Sequence, residues 1–222
     1  DVFAEHNVLF TLAAGTLLGA VREGKFMGWD YDTDLSCSDE DSHKIPALAE
    51  SFNARGVSVY YSEAFRCLAV YHEGVTVDID FWRDDGQNRT MPLRFALNGL
   101  GKMIYFAEWV LLHRGTGGVA MSIKNKIKFA RMRYILCNAT DLLPFALRGA
   151  VAKGIRQLAR LTGNPRGVVS VPSAFYSTYR KVPFNGAEYW APGDAEGYLA
   201  HRYGDDWRIP QKGWVYYDEK GT

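Results

Sequence analysis

The chain has 222 residues, 47% hydrophobic and 23% charged, with a net charge of +1. That length suits one domain, or one domain with an appended helical part, and the composition excludes disorder, collagen and a small disulfide scaffold. Charge is unevenly placed: residues 1–90 hold 16 acids against 7 bases, whereas residues 122–166 hold ten bases opposed only by Asp141, as in a metal-binding part beside a part that meets an anion.

Asp1 opens directly on a helical pattern with no initiator Met, so an excised domain of something longer is expected. Val8–Ala13 is a short apolar run ended by Gly15, a buried strand, and Thr16–Arg22 follows as a short helix. Gly24 and Gly28 break the chain, and Asp34–Cys37 reads as a second strand. Ser38 with Asp41 three residues on resembles a capping box, predicting a helix over Asp41–Ala54. Val57–Tyr61, Cys67–His72 and Val75–Trp82 are predicted strands, the last two joined as a hairpin by Glu73-Gly74. Residues 122–137 and 141–161 read as amphipathic helices, Gly163–Pro172 as a loop, and Asp194–Tyr203 as a last helix stopped by Gly204. The order strand, helix, strand, helix, then three strands predicts a mixed sheet flanked by helices, an α/β (α+β) fold. Cys37, Cys67 and Cys137 lie far apart without a CxxC, which points to a reducing compartment rather than a zinc site or disulfide framework. No run is long and apolar enough for a transmembrane span, and no secretory signal opens the sequence.

Three constellations carry chemistry. In Trp29-Asp30-Tyr31-Asp32-Thr33-Asp34, alternate residues of an extended segment point one way, so Asp30, Asp32 and Asp34 project together. Like charges so close raise one another's pKa, and a divalent cation relieves the conflict; carboxylate oxygen suits Mg²⁺ or Mn²⁺. In Val75–Phe81 apolar and acidic residues alternate, so Asp78 and Asp80 share one face of a strand where acids need a function to justify them. An acid there supplies the third ligand of a metal-assisted phosphoryl-transfer site. In Ala14-Gly15-Thr16-Leu17-Leu18-Gly19-Ala20-Val21-Arg22, Gly15 permits a tight strand-to-helix turn. Thr16 with the first N–H groups of the helix can hold phosphate, and the Arg22 fork can grip its oxygens. Gly19–Lys25 has P-loop spacing, but Phe26 stands where Ser or Thr must ligate Mg²⁺. The sequons at Asn88 and Asn138 have meaning only in a secretory lumen.

The block AAGTLLGAVREGKFMGWDYDTDLS resembles the signature of the LicD/fukutin family of the nucleotidyltransferase-fold superfamily. A C-terminal block is also similar: Lys181-Val182-Pro183, Tyr198-Leu199, Tyr203-Gly204-Asp205-Asp206-Trp207 and Pro210. The resemblance implies a nucleotidyltransferase-like core over residues 1–120, completed by a mostly helical part over 121–222. It implies transfer of a phospho-alcohol, phosphocholine or ribitol phosphate among them, from a CDP-activated donor to a glycan or polysaccharide hydroxyl, with release of CMP. The implied metal ligands for Mg²⁺ or Mn²⁺ are Asp32, Asp34 and Asp80, with Asp78 on the same face and also catalytic. The implied substrate-binding residues are Gly15, Thr16, Arg22, Trp29, Asp30 and Lys181. Two other readings are carried: a nucleotidyltransferase that attaches NMP to its acceptor, and a degenerate glycan-binding module. No nucleic-acid partner is expected, because the acidic half repels phosphates and no basic-aromatic platform is present. No transmembrane segment is expected, and peripheral membrane association stays open. The expected location is the cytoplasm, or the Golgi lumen for a eukaryotic chain.

Overall fold

The computed structural model describes residues 1–30, 32–92, 99–115, 135–136, 139–161 and 168–211. Tyr31, Cys137, Lys124, Lys126, Lys128 and most of the helix expected over 122–137 lie outside the described residues.

The chain begins with helix α1 (Val2–Glu5), strand β1 (Phe10–Leu12), helix α2 (Ala14–Glu23) and strand β2 (Asp32–Ser38). A 3-10 turn over Asp39–Lys44 leads into helix α3 (Ile45–Ala54). The helix expected from Asp41 thus starts four residues later in its α form, because Pro46 sits in its first turn, where the missing N–H costs nothing. Ser38 caps the 3-10 turn as expected, accepting from the Glu40 N–H. Strands β3 (Ser58–Ser62), β4 (Cys67–His72), β5 (Val75–Asp84) and β6 (Asn88–Pro92) follow. Then come helix α4 (Gly99–Leu112), the short strand β7 (Arg114–Gly115) and helix α5 (Phe145–Leu161). Strands β8 (Val168–Pro172), β9 (Tyr179–Phe184) and β10 (Ala187–Pro192) precede helix α6 (Ala195–Tyr203).

Among the described residues one sheet runs β1-β2-β5-β4-β3-β7, and β6 joins β5 to β8 beside it. The β2–β5 pair is parallel and its neighbours are antiparallel, so the sheet is mixed. The parallel pair lies at the centre of the site. Leu35 and Cys37 of β2 and Ile79 and Phe81 of β5 are buried in the main core with Leu12, Leu17, Leu48, Leu68 and Leu199. The alternate residues, Asp34 and Ser36 on β2 and Asp78 and Asp80 on β5, project from the opposite face. Phe65, Cys67, Leu112 and Ala152 form a second cluster under α4 and α5.

Beyond residue 120 the described chain carries strands as well as helices. Val168–Pro172, expected as a loop, pairs with β6 as an edge strand that stops at Pro172. β9 and β10 form a separate hairpin turning on Asn185-Gly186, both at positive φ (52° and 86°). Asn-Gly suits this two-residue turn because both central positions need left-handed backbone.

Cys37 is 1% exposed, and its burial pushes the thiol up to about 12, assisted by the Asp41 carboxylate. A raised pKa removes the thiolate, the reactive form. Iodoacetamide at neutral pH therefore leaves Cys37 unmodified in the native protein and alkylates it after denaturation, as read by mass spectrometry.

Candidate active site

The β2–β5 register sets the site. Asp34 lies opposite Asp78 and Ser36 opposite Asp80, with Asp32 opposite Thr76 at the strand start. Asp34, Asp78 and Asp80 are half-buried and Asp32 is exposed. Four carboxylates therefore share one face of two adjacent strands, as the alternation predicted for each strand separately.

The first turn of α2 holds β2 in place. The Ala13 N–H donates to the Asp34 carbonyl at 3.0 Å, and the Asp34 N–H donates to Thr16 Oγ1 at 2.8 Å. Both backbone groups of Asp34 are fixed from one side. Thr16 is 2% exposed and does not line the cavity above the carboxylates. Its hydroxyl oxygen, expected at phosphate, instead accepts from β2 and positions Asp34. Thr16→Val keeps the shape but buries the Asp34 N–H without this acceptor. We expect a loss of about 1–3 kcal/mol, read as a lower urea midpoint at unchanged slope, together with reduced turnover.

Ala14 is a non-glycine residue at φ 45°, a costly left-handed conformation, and its N–H donates to the Tyr198 hydroxyl at 3.4 Å. A Cβ placed on Gly15 would collide with the Asp30 carboxylate. Gly15 lets the Asp30 carboxylate come close, and the position against this end of α2 is taken by Asp30, an acid favoured by the helix dipole.

A cavity of about 410 Å³ lies over this face. Asp30, Asp32, Asp34, Asp78 and Asp80 line it, with Gly15, Arg22 and Trp29. Arg22 donates to Glu23 Oε1 (2.7 Å) and stands 5.8 Å from the Trp29 ring centroid. The cavity is closed by residues absent from the expected site set: Trp82 of β5, Arg202 and Tyr203 of α6, and Trp207 beyond it. Arg202 is half-buried and donates to the Tyr198 hydroxyl at 3.1 Å, so Tyr198 ties the C-terminal helix to the start of α2. The family-like block around Tyr203–Trp207 was the sequence signal for this wall. Lys181 does not join it: it is exposed on the β9–β10 hairpin, 5.4 Å from the Trp190 ring centroid.

Among the described residues no group of three or more His, Cys, Asp or Glu is drawn together tightly enough to hold a metal unaided. The donor set still fits the expected ion, since Mg²⁺ ordinarily takes one or two carboxylates and completes its shell with water and substrate phosphate. Carboxylates along one wall and arginines around the rim suit a ligand that brings negative phosphate and shares a cation.

The fold is thus a mixed α/β sheet with acids on two adjoining strands facing a cavity. Residues 7–111, just under half of the chain, match the LicD/FKTN/FKRP nucleotidyltransferase domain, and over that segment the chain is similar to this family. A stretch of 76 residues is 28% identical to the uncharacterized protein RP689 of Rickettsia prowazekii (strain Madrid E), covering 32% of this chain and 29% of that one. The α6 wall, with Arg202 and Trp207, lies beyond the matched segment yet lines the same cavity.

Proposed function

We propose that the protein is a metal-dependent transferase that moves a phospho-alcohol from a CDP-linked donor to a glycan hydroxyl and releases CMP. The observation that carries this reading is the register that sets Asp34 beside Asp78 and Ser36 beside Asp80 beneath a cavity rimmed by Arg22 and Arg202. In this reading Arg22 and Arg202 grip the diphosphate oxygens through their guanidinium forks. Asp32, Asp34 and Asp80, with Asp78 alongside, are the residues that would hold Mg²⁺ or Mn²⁺, supplying one or two carboxylates beside water and donor phosphate. A bound divalent cation supplies charge neutralisation at the diphosphate. The acceptor oxygen attacks the phosphorus bearing the alcohol, the bond from that phosphorus to the CMP oxygen breaks, and the hydroxyl proton passes to Asp80 or Asp78. Trp29, Trp82 and Trp207 narrow the cavity against water, which would otherwise compete as acceptor.

Incubation with Mg²⁺, glycan acceptors and a panel of CDP-choline, CDP-ribitol and CDP-glycerol, followed by ³¹P NMR, tests the reading. Release of CMP with a new phosphodiester on the glycan supports it. Attachment of NMP to the acceptor identifies the nucleotidyltransferase alternative, and no turnover with tight glycan binding identifies the degenerate module. Arg22→Lys keeps the charge and loses the fork. We expect donor affinity about tenfold weaker, about 1.4 kcal/mol, by calorimetry; unchanged affinity would give Arg22 a structural task.

A further inference from the structure

Helix α5 exposes four of its large apolar residues, whereas Phe145 and Ile155 are half-buried. The side toward the fold carries Arg148, Ala152, Arg156 and Ala159. Arg148 pairs with Asp141 and Arg156 with Glu108, each at 2.7 Å, and Ala152 and Ala159 are buried. Leu147, Val151, Leu158 and Leu161 recur at helical spacing along another face. Leu147 is 50% exposed, Val151 46% and Leu161 79%, and Leu142 and Leu143 just before the helix are exposed as well. Lys153 and Arg160, seven residues apart and exposed, line one flank of this stripe.

We propose that α5 docks the protein on an anionic phospholipid surface, with the leucine-valine stripe in the headgroup–acyl boundary and the lysine-arginine flank against lipid phosphates. A helix with a strongly apolar side, a basic flank and little net hydrophobicity is the kind that lies in a bilayer interface. Among the described residues no helix is long and apolar enough to cross a membrane, so the contact is with its surface. Charge selects the occupant. Within α5 itself there is no acid, Arg148 and Arg156 are engaged on the inner side, and the exposed Lys153 and Arg160 give the outer side a positive charge that attracts an anionic leaflet, whereas a second copy of the same face is repelled by like charge. The proposal goes beyond the reaction proposed above and stands without it.

Co-sedimentation of the intact chain with vesicles tests it. The parent is expected to pellet with an equal mixture of phosphatidylcholine and phosphatidylglycerol, less at high salt, and about tenfold less with phosphatidylcholine alone. The double variant Leu147→Gln/Val151→Gln is expected to bind the mixed vesicles about tenfold more weakly, and so is Lys153→Gln/Arg160→Gln. All four positions are exposed, so circular dichroism and melting temperature stay parental. Parent protein left in the supernatant with anionic vesicles overturns the proposal. So do double variants that pellet like the parent. A concentration-dependent dimer dispersed by Leu147→Gln/Val151→Gln, without vesicle binding, assigns the face to a second copy and equally overturns it.

Discussion

The Asp34→Asn protein is expected to fold normally and to be almost inactive. Two bonds that fix this residue run to its backbone, from Thr16 Oγ1 and the Ala13 N–H, and asparagine, of the same size, keeps both. Its side chain faces Asp78 across the parallel pair, and removing one of two adjacent like charges does not destabilise the apo protein. Turnover is expected to fall by about a thousandfold, about 4 kcal/mol of transition-state stabilisation. Urea denaturation with steady-state kinetics separates the two effects. If Asp34 served only the fold, stability would fall while turnover stayed within a few-fold of the parent.

Arg202→Met is expected to weaken donor binding by about thirtyfold, about 2 kcal/mol, the range for a hydrogen bond to a charged group. Methionine keeps much of the length and apolar stem but removes the guanidinium. The position is half-buried on α6, and its bond to the Tyr198 hydroxyl is part of the link between the C-terminal helix and α2. Tyr198→Phe separates the causes: it keeps the Arg202 charge and loses the hydroxyl, so its donor affinity falls only a few-fold. Calorimetric titration of a CDP-alcohol with Mg²⁺ reads both. Equal loss in the two variants would mean that the C-terminal wall acts by shaping the start of α2 rather than by touching the donor.

Which parts of this site were legible depends on how local their cause is. Alternation along Asp32–Asp34 and Val77–Phe81 is a property of each strand, so the faces of β2 and β5 followed from the sequence. The Gly15 turn was legible for the same reason. That Asp34 meets Asp78 in register was not, because parallel pairing requires a crossover and is fixed by tertiary packing. Thr16 shows the limit from the other side. A threonine at a helix start suits phosphate as well as it suits a neighbouring strand, and only its buried bond to the Asp34 N–H decides. Strands β6 and β8 are short, end in proline and pair at the side of the sheet, so periodicity carried little of them. The β9–β10 hairpin did have a signal: Asn185-Gly186 between alternating residues marks such a turn. The α6 wall was visible only as a family-like block, since nothing local to Arg202 or Trp207 shows which cavity they enclose.

The central claim is that the carboxylate face of β2 and β5 binds a CDP-linked donor together with a divalent cation. Calorimetric titration of CDP-choline, CDP-ribitol and CDP-glycerol, each with Mg²⁺ and then with excess chelator, tests it in parent and Asp34→Asn proteins. The account predicts that at least one of these donors binds the parent with Mg²⁺, loses most of its affinity on chelation, and shows little Mg²⁺ dependence in Asp34→Asn. Donor binding that is the same with and without Mg²⁺, or equally Mg²⁺-dependent in both proteins, would contradict it.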